Sequence, residues 1–336
     1  MYKIITAIWI FLFAFGTYAA GFGENSRETA PTQTISPISD TVNKAQFNAA
    51  VKQGITFNHN GTVLIKCPRS ITGTVVIPEG VVSIISQAFN WCEKLEKVVI
   101  PPSVKYIGTS SFAHCKSLKK VTIPAAEEIA GTAFAWCDNL EEVILPENLK
   151  SIERSAFAYN RKLKKITIPA GVTRFGDTVF TGAAGVQIAP DHPFLLQDKH
   201  GALFDTSQNA ILYLPTGFTG HYRIPDGITA IRAEAFYQCK NLTGITIPAG
   251  VTVIEMSAFS GCSSLKEVVI PDGVKLLGIS AFNYCPELQS VTIPDSVKNI
   301  GHIAFIRSHK LKQVSISRDC NVGYKVFPPE CKVIRR

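Results

Sequence analysis

Phenylalanines at 89, 112, 134, 157 and 180, and again at 236, 259, 282 and 305, fall 22 or 23 residues apart on either side of one gap of 56. Prolines at 78, 101, 124, 146 and 169, and at 225, 248, 271 and 294, keep the same step. A fixed period of this size means stacked supersecondary units, because one such unit is too small to bury its own apolar face. The length of 336 residues would otherwise suggest two or three domains, but a stack grows in one direction without starting a second core.

The phrases AFNWCEKLEKVVIPPSV, SFAHCKSLKKVTIPAA, AFAWCDNLEEVILPENL and AFYQCKNLTGITIPAGV show what recurs. Phe89, Cys92, Leu95, Val98 and Ile100 point inward, as do Val104 and Ile107 after the proline. The β-branched run Val98, Val99, Ile100 alternates in, out, in, which predicts a short strand. Pro101 ends it, since proline has no N–H for the next ladder bond. Glycines at 80, 250 and 273 follow later copies of the proline and permit the reversal. The segment 86–92 is too short for a helix of its own and is predicted to make one helical or 3₁₀ turn. Roughly eight inward apolar side chains per unit, at about 1.5–3 kcal/mol each, nearly balance a backbone ordering cost of about 1–2 kcal/mol per residue. One coil alone therefore does not fold, and stacking completes the burial.

The pattern L-x-x-V-x-I-P-x-x-V-x-x-I-x-x-x-A-F-x-x-C, carried over residues 60 to 320, resembles the leucine-rich repeats of the Treponema pallidum or BspA-like class. The resemblance implies an α/β-type solenoid of mostly short β-strands, a right-handed horseshoe with a parallel concave sheet. It also implies an exported, non-enzymatic surface protein without a cofactor, which adheres to other cells or matrix proteins. Periodicity by itself shows only a stacked solenoid with one strand per coil.

The chain opens with one lysine, an uncharged apolar stretch from Ile4 to Gly23 and small residues around Ala19 and Ala20. This is the layout of an export signal over residues 1–20, cut after Ala19 or Ala20, which leaves no membrane span; an uncleaved anchor is the alternative, because the run is just long enough to cross a bilayer. No cysteine lies near the cut, which disfavours a lipid anchor. Residues 21–45 are rich in Ser, Thr and Pro and read as a flexible spacer. Residues 46–180 hold an N-terminal cap and a first repeat run, and 221–336 a second run with a C-terminal cap. Between them, 181–220 reads as a hairpin insert with short strands at 194–197, 202–204 and 210–214. The spacing Pro68 to Pro78 recurs from Pro215 to Pro225, so each run begins with a similar hairpin-like unit.

Six of the nine cysteines, at 92, 115, 137, 239, 262 and 285, occupy the slot three residues after the phenylalanine. Asn160 and Ser308 replace cysteine in two copies, which suits a buried group bonded to turn backbone. These six read as buried free thiols, with a strained disulfide between adjacent coils as the alternative. Cys320 and Cys331 lie outside the period and are the candidate disulfide; Cys67 has no evident partner. A zinc site needs convergent ligands, and the cysteine column lacks the paired spacing. No HExxH, G-x-S-x-G or phosphate-binding glycine loop is present. Asp191, His192, Asp198, His200 and Asp205 cluster in the insert and read as turn residues.

The outward side of the concave sheet is read from positions two and four before each proline. It comprises Val76, Lys97, Val99, Lys120, Thr122, Ile144, Lys165 and Thr167 in the first run, and Arg223, Thr246, Val269 and Thr292 in the second. Exposed β-branched residues on a broad sheet form a docking patch, and the lysines a basic streak. Trp91, His114, Trp136, Tyr159, Tyr237 and Tyr284 form an aromatic strip on another side, which reads as packing between coils. The expected partner is a host extracellular-matrix or cell-surface protein. An envelope scaffold, surface-exposed or periplasmic, is the second reading. The formal charge of +8 supports a third, an anionic glycan or similar polymer; nucleic acid is not expected.

Overall fold

Leu95–Val99 forms a strand whose β-branched residues alternate as the sequence requires: Val98 and Ile100 are buried and Val99 is exposed. The computed structural model describes residues 38–336, which form one unit of stacked coils. The export segment and most of the spacer lie outside the described residues. Within the described residues the only α-helix is Lys44–Lys52, so the solenoid itself is built of strands and turns, and the expected α/β character narrows to this cap. Asn43 caps that helix by accepting from the Gln46 amide at 3.1 Å, and the Asn43 amide donates to the Glu79 carbonyl at 2.7 Å. The Ser39 amide, inside the segment read as spacer, bonds the Asn60 carbonyl at 2.9 Å.

Two strands per coil are present where one was expected. The strands before the prolines pair in twos: Gly73–Val76 with Leu95–Val99, Lys120–Thr122 with Glu142–Ile144, and Thr167–Ile168 with Gln187–Ile188. The more continuous sheet comes after the prolines. Ser83–Ile84, Tyr106–Ile107, Glu128–Ile129, Ser151–Ile152 and Arg174–Phe175 run parallel, coil after coil. In the second run Ala230–Ile231, Val253–Ile254, Leu276–Leu277 and Asn299–Ile300 repeat the arrangement. Strands of two residues are too short to display alternation, which is why Ile107 was legible as an inward residue and its strand was not.

The third side of each coil is neither helical nor 3₁₀. Apart from Arg307, residues two before and two after the motif phenylalanines adopt left-handed backbone conformations, as at Ser110 (φ 53°) and His114 (φ 61°). These conformations cost about 1–2 kcal/mol each for residues with a Cβ. They turn alternate amides toward the next coil: Ser110, Phe112 and His114 donate to the carbonyls of Gly131, Ala133 and Ala135 at 3.0, 2.7 and 3.0 Å. A helix would have closed those bonds within the segment and left the neighbouring coil without partners.

Inside, the phenylalanines stack. Ring centroids from Phe89 to Phe180 are 4.7, 4.9, 5.5 and 5.9 Å apart, and from Phe236 to Phe327 they are 4.7, 4.9, 5.1 and 5.4 Å apart. The stack breaks at the joint, where Tyr213 meets Phe180 and Tyr222 meets Phe236, both with their planes inclined by about 60° (62° and 59°). Two hydrophobic cores result, one from Ala50 to Tyr213 and one from Ala202 to Val326. Residues 195–213 bridge them as antiparallel strands, Leu195–Gln197 with Leu203–Asp205 and that strand with Ala210–Tyr213, which then runs parallel to Ala230–Ile231. Val63–Lys66 opens the first run in the same way, antiparallel to Thr56–Phe57 and parallel to Ser83–Ile84.

Thiols of the cysteine column donate to the phenylalanine carbonyl one coil back: Cys115 to Phe89 at 3.3 Å, Cys137 to Phe112 at 3.2 Å, Cys262 to Phe236 at 3.1 Å. Ser308 makes the same bond to Phe282 at 2.9 Å and Asn160 to Phe134 at 2.8 Å. Burial holds the Cys137, Cys239 and Cys285 thiols at a pKa of about 12, so they stay protonated and serve as donors. Cys320 and Cys331, the candidate disulfide, are separate thiols in the structure. Cys320 is buried in the second core with its sulfur 3.8 Å from the Asn321 carbonyl, and the Arg335 guanidinium donates to the carbonyls of Arg318 and Cys320.

Candidate functional site

The strands before the prolines carry their outward residues in rows, because parallel pairing sets equivalent positions of successive coils side by side, about 4.8 Å apart. Val76 aligns with Val99, and Thr122 with Ile144, giving one row that continues to Thr167. Beside it Thr74 aligns with Lys97, Lys120 with Glu142, and Glu142 with Lys165. In the second run Arg223 aligns with Thr246, and Val269 with Thr292. The first-run residues thus meet in one patch and the second-run residues in another, with the strand Gln187–Ile188 and the insert between them. Val76, Val99, Ile144 and Val269 are 40, 40, 43 and 63% exposed, values at which a β-branched side chain makes little contribution to the core.

The basic streak is interrupted. Lys120 donates to Glu142 at 2.7 Å, and the two neighbouring lysines, Lys120 first, hold the Glu142 carboxyl below its usual range. Farther along, Arg223 lies 3.4 Å from Asp226, and the Thr246 hydroxyl bonds His221 Nε2 at 2.7 Å. At the end of the first run the face deepens into an open groove of about 310 Å³, where Ile144, Lys165 and Thr167 are joined by Leu145, Glu147, Pro169, Gln187 and Ala189.

The aromatic residues form a ladder on the turn side. Trp91, His114, Trp136 and Tyr159 stack with centroids 3.9, 4.9 and 5.0 Å apart and planes within 15°. Ring faces are covered by neighbours, so edges alone are presented along the ladder, a poor surface for stacking on a sugar ring. Burial, aided by Lys116, lowers the His114 pKa, so the ladder is uncharged at neutral pH. Tyr237 lies outside the column and meets Tyr159 edge-on at 82°, while Tyr284 takes the Arg307 guanidinium 4.2 Å from its ring centre.

At the joint, sequence separation hides a contact. The Tyr159 hydroxyl donates to both carboxylate oxygens of Glu234, each at 3.1 Å, linking the two runs across 75 residues. Burial raises the Glu234 pKa, although hydrogen bonds from Thr181 and Tyr159 and the charge of Arg154 oppose the shift. A raised carboxyl pKa means that the folded state binds the extra proton, so this group adds stability as pH falls from neutral through its folded value, and the gain is complete below its unfolded value of about 4.3. Glu234→Gln keeps an acceptor for Tyr159 and removes the charge. It is expected to melt higher than the parent at pH 7, with the difference closing toward pH 4; a variant that melts lower at pH 7 and converges with the parent only in alkali would contradict this assignment.

In the insert, Asp198 Oδ1 accepts from the amides of His200 and Ala202 at 2.8 and 2.9 Å, and its Oδ2 from the Tyr222 hydroxyl at 2.7 Å. Asp205 accepts from Ser207 and Gln208, and His192 Nδ1 from the Leu195 amide at 3.1 Å. All three side chains close turns. Among the described residues no three His, Cys, Asp or Glu side chains converge as metal ligands, and no helix is long and apolar enough to cross a membrane.

The BspA type leucine rich repeat region matches residues 67–187 and 220–333, in six copies. No curated protein matches the chain. Among solved structures, a leucine rich cell surface protein from Faecalibacterium prausnitzii is 27% identical with a TM-score of 0.68, covering 78% of this chain and 79% of that one. The pneumococcal vaccine antigen PcpA is 22% identical with a TM-score of 0.60, over 72% of this chain and 67% of that one. A leucine-rich repeat protein from Eubacterium ventriosum is 19% identical with a TM-score of 0.60, over 78% and 80%. The last two likenesses concern the fold alone. A match that spans both runs of this β-solenoid places the chain in the BspA-type leucine-rich-repeat family.

Proposed function

We propose that this is an exported, non-enzymatic protein that binds a protein partner on the cell surface or matrix through the face of its strands before the prolines, acting as an adhesin. The reading takes that face as the concave side of a right-handed horseshoe. One observation carries it: a row of exposed β-branched residues, Val76, Val99 and Ile144, held in register by backbone pairing and bordered by lysines and the groove at Lys165 and Thr167. Such residues contribute little to the fold where they stand, and an apolar core with a polar rim is what protein interfaces bury. The similar F. prausnitzii protein is a cell surface protein, which supports the same reading.

The test is saturable binding to immobilised extracellular-matrix proteins and to whole cells, compared with Val99→Asp/Ile144→Asp. That double variant is expected to bind at least about tenfold more weakly, as loss of a hot spot does, with an unchanged melting temperature within about 2–4 °C. Absence of saturable binding by the parent would end the adhesion reading. Equal binding by the variant would move the site elsewhere. Protease treatment of intact cells separates a surface protein, which is cleaved, from an envelope scaffold in the periplasm, which is spared. The Lys120–Glu142 pair weakens the case for an anionic polymer on this face.

A further inference from the structure

Eight of the nine cysteines are buried, and the repeat thiols from the second coil onward are engaged with carbonyls. Cys92 is different. No motif phenylalanine precedes its coil, and its sulfur lies 3.6 Å from the carbonyl of Pro68, the residue immediately after Cys67. The Cys67 amide donates to the Ala88 carbonyl at 2.8 Å, which fixes Cys67 against the coil that carries Cys92. The Cys92 sulfur thus lies against the backbone that follows Cys67, and both cysteines are fully buried. Coils spaced about 4.8 Å apart fall inside the Cα separation of about 4.4–6.8 Å that a disulfide spans. The Cys67 side chain first, and then the charges of Lys66 and Arg69, lower the Cys92 pKa against the opposing effect of burial and favour its thiolate, the form that attacks a disulfide. The second run opens with the same hairpin, yet Leu214 stands where Cys67 does, and the Cys239 sulfur lies 3.6 Å from the Leu214 carbonyl.

We propose that Cys67 and Cys92 are a disulfide site that fastens the N-terminal hairpin to the first coil when the protein meets a disulfide-bearing oxidant. The Cys92 thiolate attacks one sulfur of the oxidant and expels the other as a thiolate. Cys67, deprotonated, then attacks the Cys92 sulfur of the mixed disulfide and expels the remaining oxidant sulfur. Two S–H bonds are lost and one S–S bond forms; the oxidant takes up two electrons and two protons and leaves as two thiols. Both sulfurs are covered, so the exchange proceeds through local opening of the hairpin Thr56–Phe57 and Val63–Lys66 away from Ser83–Ile84.

The full-length protein, purified reduced, is equilibrated with mixtures of glutathione and glutathione disulfide, quenched with acid, alkylated and mapped as peptides. The expected product is one crosslinked peptide pair joining Cys67 to Cys92, two hydrogens lighter than its reduced form, with the remaining cysteines alkylated only after denaturation. Hydrogen exchange should then show amides of Val63–Lys66 protected about three hundredfold more in the oxidised protein, the size expected for closing a loop of this length. Cys67→Ser should abolish both changes while its reduced form keeps the parent's protection. Two free thiols at the most oxidising mixture, separate glutathione adducts on Cys67 or Cys92, or a crosslink confined to Cys320 and Cys331 would each overturn the proposal.

Discussion

Replacing Phe134 by alanine is expected to lower the stability of the first repeat run by about 3–5 kcal/mol, the upper range for truncating a buried aromatic. Phe134 has no exposed surface and stacks on Phe112 at 4.9 Å and on Phe157 at 5.5 Å, so its loss opens a cavity against two coils at once. Each stacked pair contributes about 0.5–1.5 kcal/mol beyond its buried area. Phe327, with Phe305 alone on one side at 5.4 Å, serves as the comparison, and Phe327→Ala should cost about half as much. Urea denaturation followed by far-ultraviolet circular dichroism, which sees both runs, and by tryptophan fluorescence, which sees the first run through Trp91 and Trp136, reads both costs. Because the structure holds two cores, the Phe134 variant should unfold in two steps, the first run before the second. Equal costs at Phe134 and Phe327 would mean that coils do not share the stack as described.

Asn160→Leu is the second large effect. The Asn160 side chain, fully buried, donates to the carbonyls of Phe134 and Phe157 at 2.8 and 2.9 Å and accepts from the Cys137 amide at 2.8 Å. Leucine is close in volume but leaves three backbone groups dry and unpaired, at about 1–3 kcal/mol each. A total of about 3–6 kcal/mol is expected from the same groups, allowing for partial relaxation. Asn160→Ser should recover much of the loss, because serine at 308 makes the carbonyl bond in its own coil at 2.9 Å. Thermal melts of the three proteins decide the matter: if leucine and serine were equally tolerated, the column would be filled for volume and not for hydrogen bonding.

The Asn160 case shows why so much of the fold was legible. Cys, Asn and Ser share little except size and a capacity to hydrogen-bond, and their substitution for one another at a fixed period indicated a buried group bonded to turn backbone. The outward rows were equally readable, since a period of two in a strand before a proline assigns Val99 and Ile144 to the surface. The turn ladder was not. Left-handed conformations at Gln87, Trp91, Ser110 and His114 arise from bonds to the next coil, and local propensity for these residues gives no hint of them. The Lys120–Glu142 pair, the groove beside Thr167 and the neighbours Cys67 and Cys92 depend likewise on how coils are placed against one another.

What the sequence alone determined is the repeat, its inward phenylalanines and cysteines, and the outward identity of the rows, because a 23-residue period forces equivalent residues into equivalent places. What the tertiary structure decided is which strands form the continuous sheet, where the two cores part, and how Tyr159 reaches Glu234. Those features come from contacts between residues far apart in the chain, and an unaligned sequence carries no distance between them.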